Sequence, residues 1–70
     1  MRLSTRNQLS GVIVSVTPGA VMATVKVRLD GGDQIVTSSI TKEAAEEMGL
    51  AAGQPVTALI KSTEVMLGVD

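Results

Sequence analysis

A nine-residue stretch in the first half of the chain alternates between two kinds of side chain. Residues 21–29 place Val, Ala, Val, Val and Leu at the odd positions and Met, Thr, Lys and Arg at the even positions. Successive side chains of a β-strand point to opposite faces of a sheet, so this period of two predicts a strand with one apolar, buried face. A strand of this kind is stable only when further strands join it and cover that face.

Four other segments are predicted to supply those strands. Residues 9–16 are β-branched and almost continuously apolar, which predicts a strand covered on both faces. The remaining predicted strands are residues 34–39, 56–61 and 65–69. Pro18 and Gly19 occupy the central positions of a predicted type II turn. Asp30–Asp33 contains the Asp-Gly pair that tight hairpins favour.

A short helix is predicted between the third and fourth strands. Residues 41–48 are good helix formers, with Thr41 as the N-cap and Gly49 as the stop. The side chains expected to face the sheet are those of Ala44, Ala45 and Met48. Met48 and Met66 are interpreted as core filler and not as ligands. The expected fold class is mainly β, a small five-stranded OB-like barrel with one short helix between strands 3 and 4, formed by residues 1–70 as a single domain.

The chain contains no cysteine, no histidine and no aromatic residue among its 70 residues. A domain of this size buries only about 60% of its unfolded surface and needs additional stabilisation. The composition excludes disulfides and leaves no structural zinc site. Oligomerisation is therefore the expected remedy, and an apolar content of 44% agrees with subunits that bury part of their surface against each other.

Charge and hydropathy exclude several classes of function. Six basic and seven acidic residues give a net charge of −1, which argues against a nucleic-acid or anionic-membrane partner. No apolar run approaches the roughly 18 residues of a membrane span, and no signal peptide is recognisable, so a cytoplasmic location is expected. No catalytic base, nucleophile or redox centre is apparent, and the chain is therefore not expected to be an enzyme.

Hydroxyls, amides and cations at the ends of the predicted strands are suited to a small oxyanion. A tetrahedral dianion requires many converging donors, of which the charged ones are the strongest. The candidate donors are Ser4, Thr5, Arg6 and Asn7, the backbone around Gly19, Ala20 and Val21, and Lys61 with Ser62. Each segment also has an ordinary structural explanation: a solvated N-terminal arm, a turn, and an exposed strand lysine. The glutamates of the predicted helix are interpreted as its solvated face.

The segments that carry these donors resemble the molbindin, or Mop, family of small molybdate-binding proteins. The matching segments are Ser4–Leu9, Gly19–Val21, Ile40–Glu43 and Ala58–Met66. The family's opening motif usually reads Ser-Ala-Arg-Asn, and Ala often follows the lysine of its tail. This chain has Thr5 and Ser62 at those two positions. The two additional hydroxyls should preserve anion binding while altering its selectivity or the number of donors.

The resemblance implies a homohexamer, a trimer of dimers, with molybdate or tungstate held between subunits. Ser4, Arg6, Lys61 and Ser62 would build one class of site. A second class would use the backbone of Gly19–Val21, with additional hydroxyls from Thr37 or Ser38. No organic cofactor is expected, because a pterin ring would need an apolar or aromatic slot and the chain has no aromatic residue.

Three functions compete at this point. The leading hypothesis is cytoplasmic binding and storage of molybdate, with tungstate as an alternative ligand. The second is an anion-sensing regulatory or interaction module that acts on a protein partner and uses the same site. The third, an OB-fold nucleic-acid binder, is disfavoured because such modules combine a basic groove with stacking aromatic side chains.

Overall fold

The computed structural model describes residues 1–70 and contains four strands and two short helices. In chain order these are β1 (Asn7–Pro18), β2 (Met22–Leu29), β3 (Ile35–Thr41), α1 (Lys42–Glu47), β4 (Pro55–Ile60) and a single-turn 3₁₀ helix (Ser62–Glu64). The strands form one antiparallel sheet in the order β3-β2-β1-β4. The prediction of a mainly β fold with one short α-helix between the third and fourth strands is confirmed.

The predicted fifth strand is not formed. Residues 65–69 follow the 3₁₀ helix without pairing to any strand, and their side chains are exposed. A strand exists only through hydrogen bonds to a neighbour, and an apolar run does not by itself specify which neighbour that is. The sheet consequently ends at two unpaired edges, one on β3 and one on β4.

A bulge divides β1 into two halves. Ile13 pairs with Val27 and Ser15 pairs with Lys26, so Val14 is an extra residue without a partner on β2. Odd-numbered residues such as Ile13 face the core before the bulge, and Val16, opposite Val25, faces it afterwards. The prediction that β1 is covered on both faces is wrong within this chain. The run is continuously apolar because the inward-facing positions change from odd to even numbers at the bulge. Val14 itself is exposed.

The core lies on the inner face of the sheet where β1 and β2 pair. Ile13, Val25 and Val27 form a buried cluster, against which Ile40, Leu50 and further partly buried side chains pack. Ala23 is also buried, while the even-numbered residues of β2 are exposed. The alternation predicted for residues 21–29 is thus confirmed along β2, which begins at Met22 and leaves Val21 in the preceding loop.

One of the two predicted turns has a different geometry. Asp30–Asp33 joins β2 to β3, and Gly31 has the positive φ of +85° that such a turn requires. A type II turn at Pro18 and Gly19 would need a positive φ at Gly19, which is absent. Pro18 instead remains in β1 opposite Ala23, and the Gly19 N–H donates to the Met22 carbonyl at 2.7 Å. The tip of this hairpin is therefore Ala20 and Val21.

The caps of α1 are those the sequence predicts. The Thr41 hydroxyl accepts a hydrogen bond from the Ala44 N–H at 3.1 Å, and Gly49 follows the helix with φ +62°. Only Ala45 is buried on this six-residue helix. The assignment of Met48 and Met66 to the core is wrong, since they are 64% and 92% exposed. No helix of this fold has the length and apolar character that crossing a membrane requires.

The Thr41 cap gives a first testable prediction. Thr41→Ala should lower the free energy of unfolding by about 1 kcal/mol, because the Ala44 N–H then loses its acceptor. Urea denaturation followed by far-UV circular dichroism measures this, since the chain has no aromatic fluorophore. Thr41→Ser keeps the hydroxyl and should retain most of the stability. Equal losses in the two variants would show that the cap hydrogen bond is not responsible.

Candidate functional site

Pairing between β1 and β4 brings two candidate segments together at one end of the sheet. Asn7 pairs with Ile60, and the Asn7 side-chain amide donates to the Ile60 carbonyl at 3.0 Å. Arg6 precedes Asn7 and Lys61 follows Ile60, so both cations adjoin the last residue pair at this end of the sheet. Their side chains are exposed and take no part in the side-chain hydrogen bonds of the chain. A dianion bound at this end of the sheet would be attracted by both positive charges.

Local hydrogen bonds fix the backbone on both sides of this cation pair. The Gln8 side-chain amide donates to the Thr5 carbonyl at 2.8 Å, which holds the segment before β1. After β4, the Glu64 N–H donates to the Lys61 carbonyl at 2.8 Å and closes the 3₁₀ turn that begins at Ser62. The exposed hydroxyls of Ser4 and Ser62 therefore lie on segments adjoining the two cations.

The second candidate segment, Gly19–Val21, lies at the opposite end of β1. The Gly19 N–H is already occupied by Met22, whereas the N–H groups of Ala20 and Val21 form no hydrogen bond within the chain. The Val21 carbonyl accepts from the Lys42 N–H at 2.8 Å, which ties this loop to the start of α1. The two N–H groups expected to act as donors in this loop, those of Ala20 and Val21, are thus not occupied within the chain.

A shallow depression beside this loop contains charges that sequence reasoning did not assign to a site. It is lined by Ala20, Val21, Thr41, Lys42, Glu43 and Glu46. Lys42 is a candidate cation that was missed, although it belongs to a segment carrying the family resemblance. The two carboxylates outnumber its single positive charge. An anion bound at this loop would therefore need positive charge from another chain.

Thr37 and Ser38 lie in the middle of β3, away from both segments. Thr37 pairs with Lys26 and is exposed, while Ser38 pairs with Val25 and is half-buried. Both line a groove whose other wall is β4, ending at Ile60 and Glu64. The groove leads toward Lys61 and Ser62 but does not reach the Gly19–Val21 loop.

Within one chain the candidate residues therefore form separate groups. The twelve residues of β1 stand between the Arg6 and Lys61 end and the Gly19–Val21 loop. This is about 40 Å of chain at the rise of an extended strand. A single oxyanion cannot contact both groups of the same chain. Any site that combines them must take them from two different chains.

Comparison with known proteins identifies the family. The TOBE domain family matches residues 3–67 of the chain. The chain belongs to the TOBE domain family. Among its relatives, molybdenum-pterin-binding protein 3 of Clostridium pasteurianum is 46% identical over 67 residues, which cover 96% of this chain and 97% of that protein. The resemblance to the Mop family that the sequence motifs indicated is thereby confirmed.

Two solved structures share the fold of this TOBE domain. MopII from Clostridium pasteurianum, in an apo form, superposes with a TM-score of 0.90 at 38% identity, over 97% of this chain and 100% of that one. The cytoplasmic molybdate-binding protein ModG, with molybdate bound, superposes with a TM-score of 0.92 at 46% identity. The alignment with ModG covers all of this chain and 49% of that chain. The OB-like architecture predicted from the sequence is thus supported, in the form of an open four-stranded sheet.

Proposed function

We propose that this TOBE domain is a non-enzymatic protein that binds and stores molybdate, with tungstate as an alternative ligand. The observation that supports the proposal is the register of β1 and β4, whose terminal pair Asn7 and Ile60 is followed by Lys61 on one strand and preceded by Arg6 on the other. The hydroxyls of Ser4 and Ser62 and the amide of Asn7 belong to the same end of the sheet. Relatives that match over their whole length are named as molybdenum-pterin-binding proteins, and ModG is named as molybdate-binding.

The proposed site matches the charge and shape of a tetrahedral oxyanion. Two cations balance a charge of −2, and charge-assisted hydrogen bonds to an anion are roughly twice as strong as neutral ones. The guanidinium offers paired donors in a fixed plane, whereas the ammonium contributes a compact charge. The hydroxyls complete the shell without adding charge. Thr5 and Ser62 enlarge the donor set relative to the usual family motif.

We further propose that the anions lie between subunits of a homohexamer, a trimer of dimers, in the cytoplasm. Arg6 and Lys61 are exposed in one chain, so solvent on their open side would have to be replaced by a second chain. The backbone donors of Ala20 and Val21 also need a cation from elsewhere. Large apolar side chains exposed on the chain support burial between subunits; examples are Leu9, Val14, Leu59 and Met48.

Selectivity in this proposal comes from the size of the cavity. Sulfate carries the same charge and shape as molybdate but is smaller, so a shell fitted to the larger anion leaves longer, weaker hydrogen bonds to sulfate. Molybdate and tungstate are not separated by this criterion. The ligand is the inorganic anion itself, and no organic cofactor is needed to hold it.

The regulatory alternative is less favoured. The Clostridium pasteurianum relative matches this chain over 97% of its own length, and its name describes a binding protein. A storage protein requires nothing beyond the anion sites and the assembly that forms them. A sensor would in addition need a surface reserved for its protein partner.

Isothermal titration of the purified chain with molybdate, with the mass of the oligomer measured alongside, tests the proposal. We expect binding at about one anion or more per chain in a hexamer, and a much weaker response to sulfate and phosphate. A ligand that bridges chains should also stabilise the assembly by mass action. Absence of heat with molybdate would overturn the storage function, and tight binding by a monomer would overturn the interface site.

A further inference from the structure

The outer face of the sheet around β2 carries positive charge and no carboxylate. Thr24, Lys26 and Arg28 are exposed on β2 and point to the side of the sheet opposite the core. Each has one partner on β1 and one on β3, and these pairs of partners are Thr17 and Ser39, Ser15 and Thr37, and Val12 and Ile35. This surface of three rows, termed the cationic face, contains two cations and five hydroxyls.

The two cations of this face have no partner among the side-chain hydrogen bonds of the chain. The side chains of Lys26 and Arg28 are exposed and donate to no other residue. The rows of Thr24 and Lys26 are entirely polar. Permanent subunit interfaces are more apolar than this. The cationic face is therefore expected to remain on the outside of the proposed oligomer.

One side of α1 carries the opposite charge at a matching spacing. Glu43 and Glu47 are exposed and four positions apart, which places their Cβ atoms on one side of the helix at a separation of about 6 Å. Lys26 and Arg28 are two positions apart on one strand, a separation of about 7 Å. Lys42 precedes Glu46 by four positions and can offset its charge, whereas Glu43 and Glu47 have no cation at helical spacing.

We propose that Glu43 and Glu47 of one copy dock on the cationic face of a second copy and link separate oligomers of this protein. The contact joins two different surfaces that every copy has, so it can repeat from one oligomer to the next. An exposed ion pair is individually weak. The contact rests on the proposed oligomer for its strength, because several copies of each surface act together there. It involves no molybdate and thus goes beyond the storage function.

Static light scattering of the natural chain at low and high salt tests the docking. The Debye length is about 30 Å at an ionic strength of 0.01 M and about 3 Å at 1 M, so only low salt leaves this attraction unscreened. Without molybdate, we expect the average mass at low salt to be roughly twofold or more above the mass at high salt. A mass that does not change with salt would overturn the proposal. The mass at high salt reports the oligomer itself, so failure of the hexamer and failure of the docking are read from different samples.

Neutral substitutions separate the cationic face from net charge. Lys26→Gln with Arg28→Gln should abolish the increase in mass at low salt. Arg2→Gln with Lys42→Gln is the matched control, since it removes the same two positive charges from the N-terminal segment and from α1. The control should keep most of the increase. Equal loss in the two variants would show that net charge controls the association, and the docking contact would then be wrong.

Charge reversal tests whether α1 is the occupant of the face. Lys26→Glu with Arg28→Glu should abolish the increase, because carboxylates would then face carboxylates. Adding Glu43→Lys and Glu47→Lys to the same chain restores opposite charges and the natural net charge of −1, so the increase at low salt should return. Far-UV circular dichroism establishes that each variant is folded. A folded chain with all four substitutions that shows no increase would overturn the proposal.

Discussion

Replacing Arg6 with Ala is expected to weaken molybdate binding by about ten- to a hundredfold. Arg6 immediately precedes β1 at the end of the sheet where Lys61 follows β4, and it would supply paired charged donors to the proposed oxyanion site. A hydrogen bond to a charged group contributes about 1.5–3 kcal/mol, and 1.4 kcal/mol corresponds to a tenfold change in affinity. Isothermal titration with molybdate measures the change. Arg6→Lys keeps the charge without the planar pair of donors and should retain only part of the affinity.

Arg28→Ala is the matched control for this experiment. Arg28 is an exposed arginine of β2 that pairs with Val12 and Ile35, and no candidate donor adjoins it in the sheet. Arg28→Ala changes the net charge by the same amount as Arg6→Ala. Solvent and salt screen the charge of Arg28 from an anion bound far away. Equal losses in Arg6→Ala and Arg28→Ala would show that net charge, and not a local contact, controls affinity. If Arg6→Ala binds molybdate with unchanged affinity, the N-terminal motif has only a structural role.

Lys61 should act together with Arg6. We expect Lys61→Ala to weaken binding, and the double variant to lose an amount that differs from the sum of the two single losses. Non-additivity is expected because neighbouring groups that hold one ligand are energetically coupled, whereas distant sites are independent. Strict additivity, with an unchanged oligomeric state, would place the two cations at different anions.

The second large effect is expected on stability. Ile13→Ala should lower the free energy of unfolding by about 2–5 kcal/mol, since Ile13 is the largest fully buried side chain and its loss leaves a cavity against Val25 and Val27. A chain of 70 residues has a total stability of about 4–10 kcal/mol. The variant is therefore expected to be largely unfolded at moderate urea concentrations that leave the natural chain folded.

Ile35→Ala provides the same chemical change at an exposed position. Ile35 begins β3 and is 47% exposed, so its truncation removes much less buried surface. Far-UV circular dichroism during urea denaturation compares the two variants, at one fixed protein concentration because the stability of an oligomer depends on it. Equal destabilisation would show that the cluster around Ile13 is not the centre of the core.

Local chemistry accounts for the parts of the fold that the sequence predicts well. The alternation along β2, the Thr41 cap and the turn at Gly31 each depend on residues within a few positions of one another. The errors involve contacts between distant segments. The bulge at Val14 arises from pairing with β2, and Gly19 lacks the predicted φ because Pro18 stays paired with Ala23. The segment 65–69 has strand character but no strand partner within its own chain.

For the candidate site too, the residue types could be predicted from the sequence, whereas their arrangement could not. Residue types and the family motif predict Arg6 and Lys61 as donors, but only the register of β1 and β4 shows that both adjoin the same end of the sheet, since Asn7 and Ile60 are 53 positions apart. The sequence did not indicate that Lys42 lies beside the Gly19–Val21 loop. The two are brought together by a hydrogen bond between distant residues, in which the Lys42 N–H donates to the Val21 carbonyl. The carboxylates of Glu43 and Glu46 beside that loop were likewise visible only once α1 had been placed.

The bulge at Val14 restricts how the length of this chain can change. Removing Val14 itself would leave Ser15 opposite Lys26 and Val16 opposite Val25, so both halves of the strand would keep their inward faces. Removing a residue on either side of the bulge would instead shift the pairing by one and turn the side chains beyond it to the opposite face of the sheet. Within β1, a change of length is therefore compatible with the core only at the bulge, whereas the exposed Asp30–Asp33 loop can accept insertions and deletions. Natural variants of this domain are expected to differ in loop length while keeping the length of each half of β1 constant.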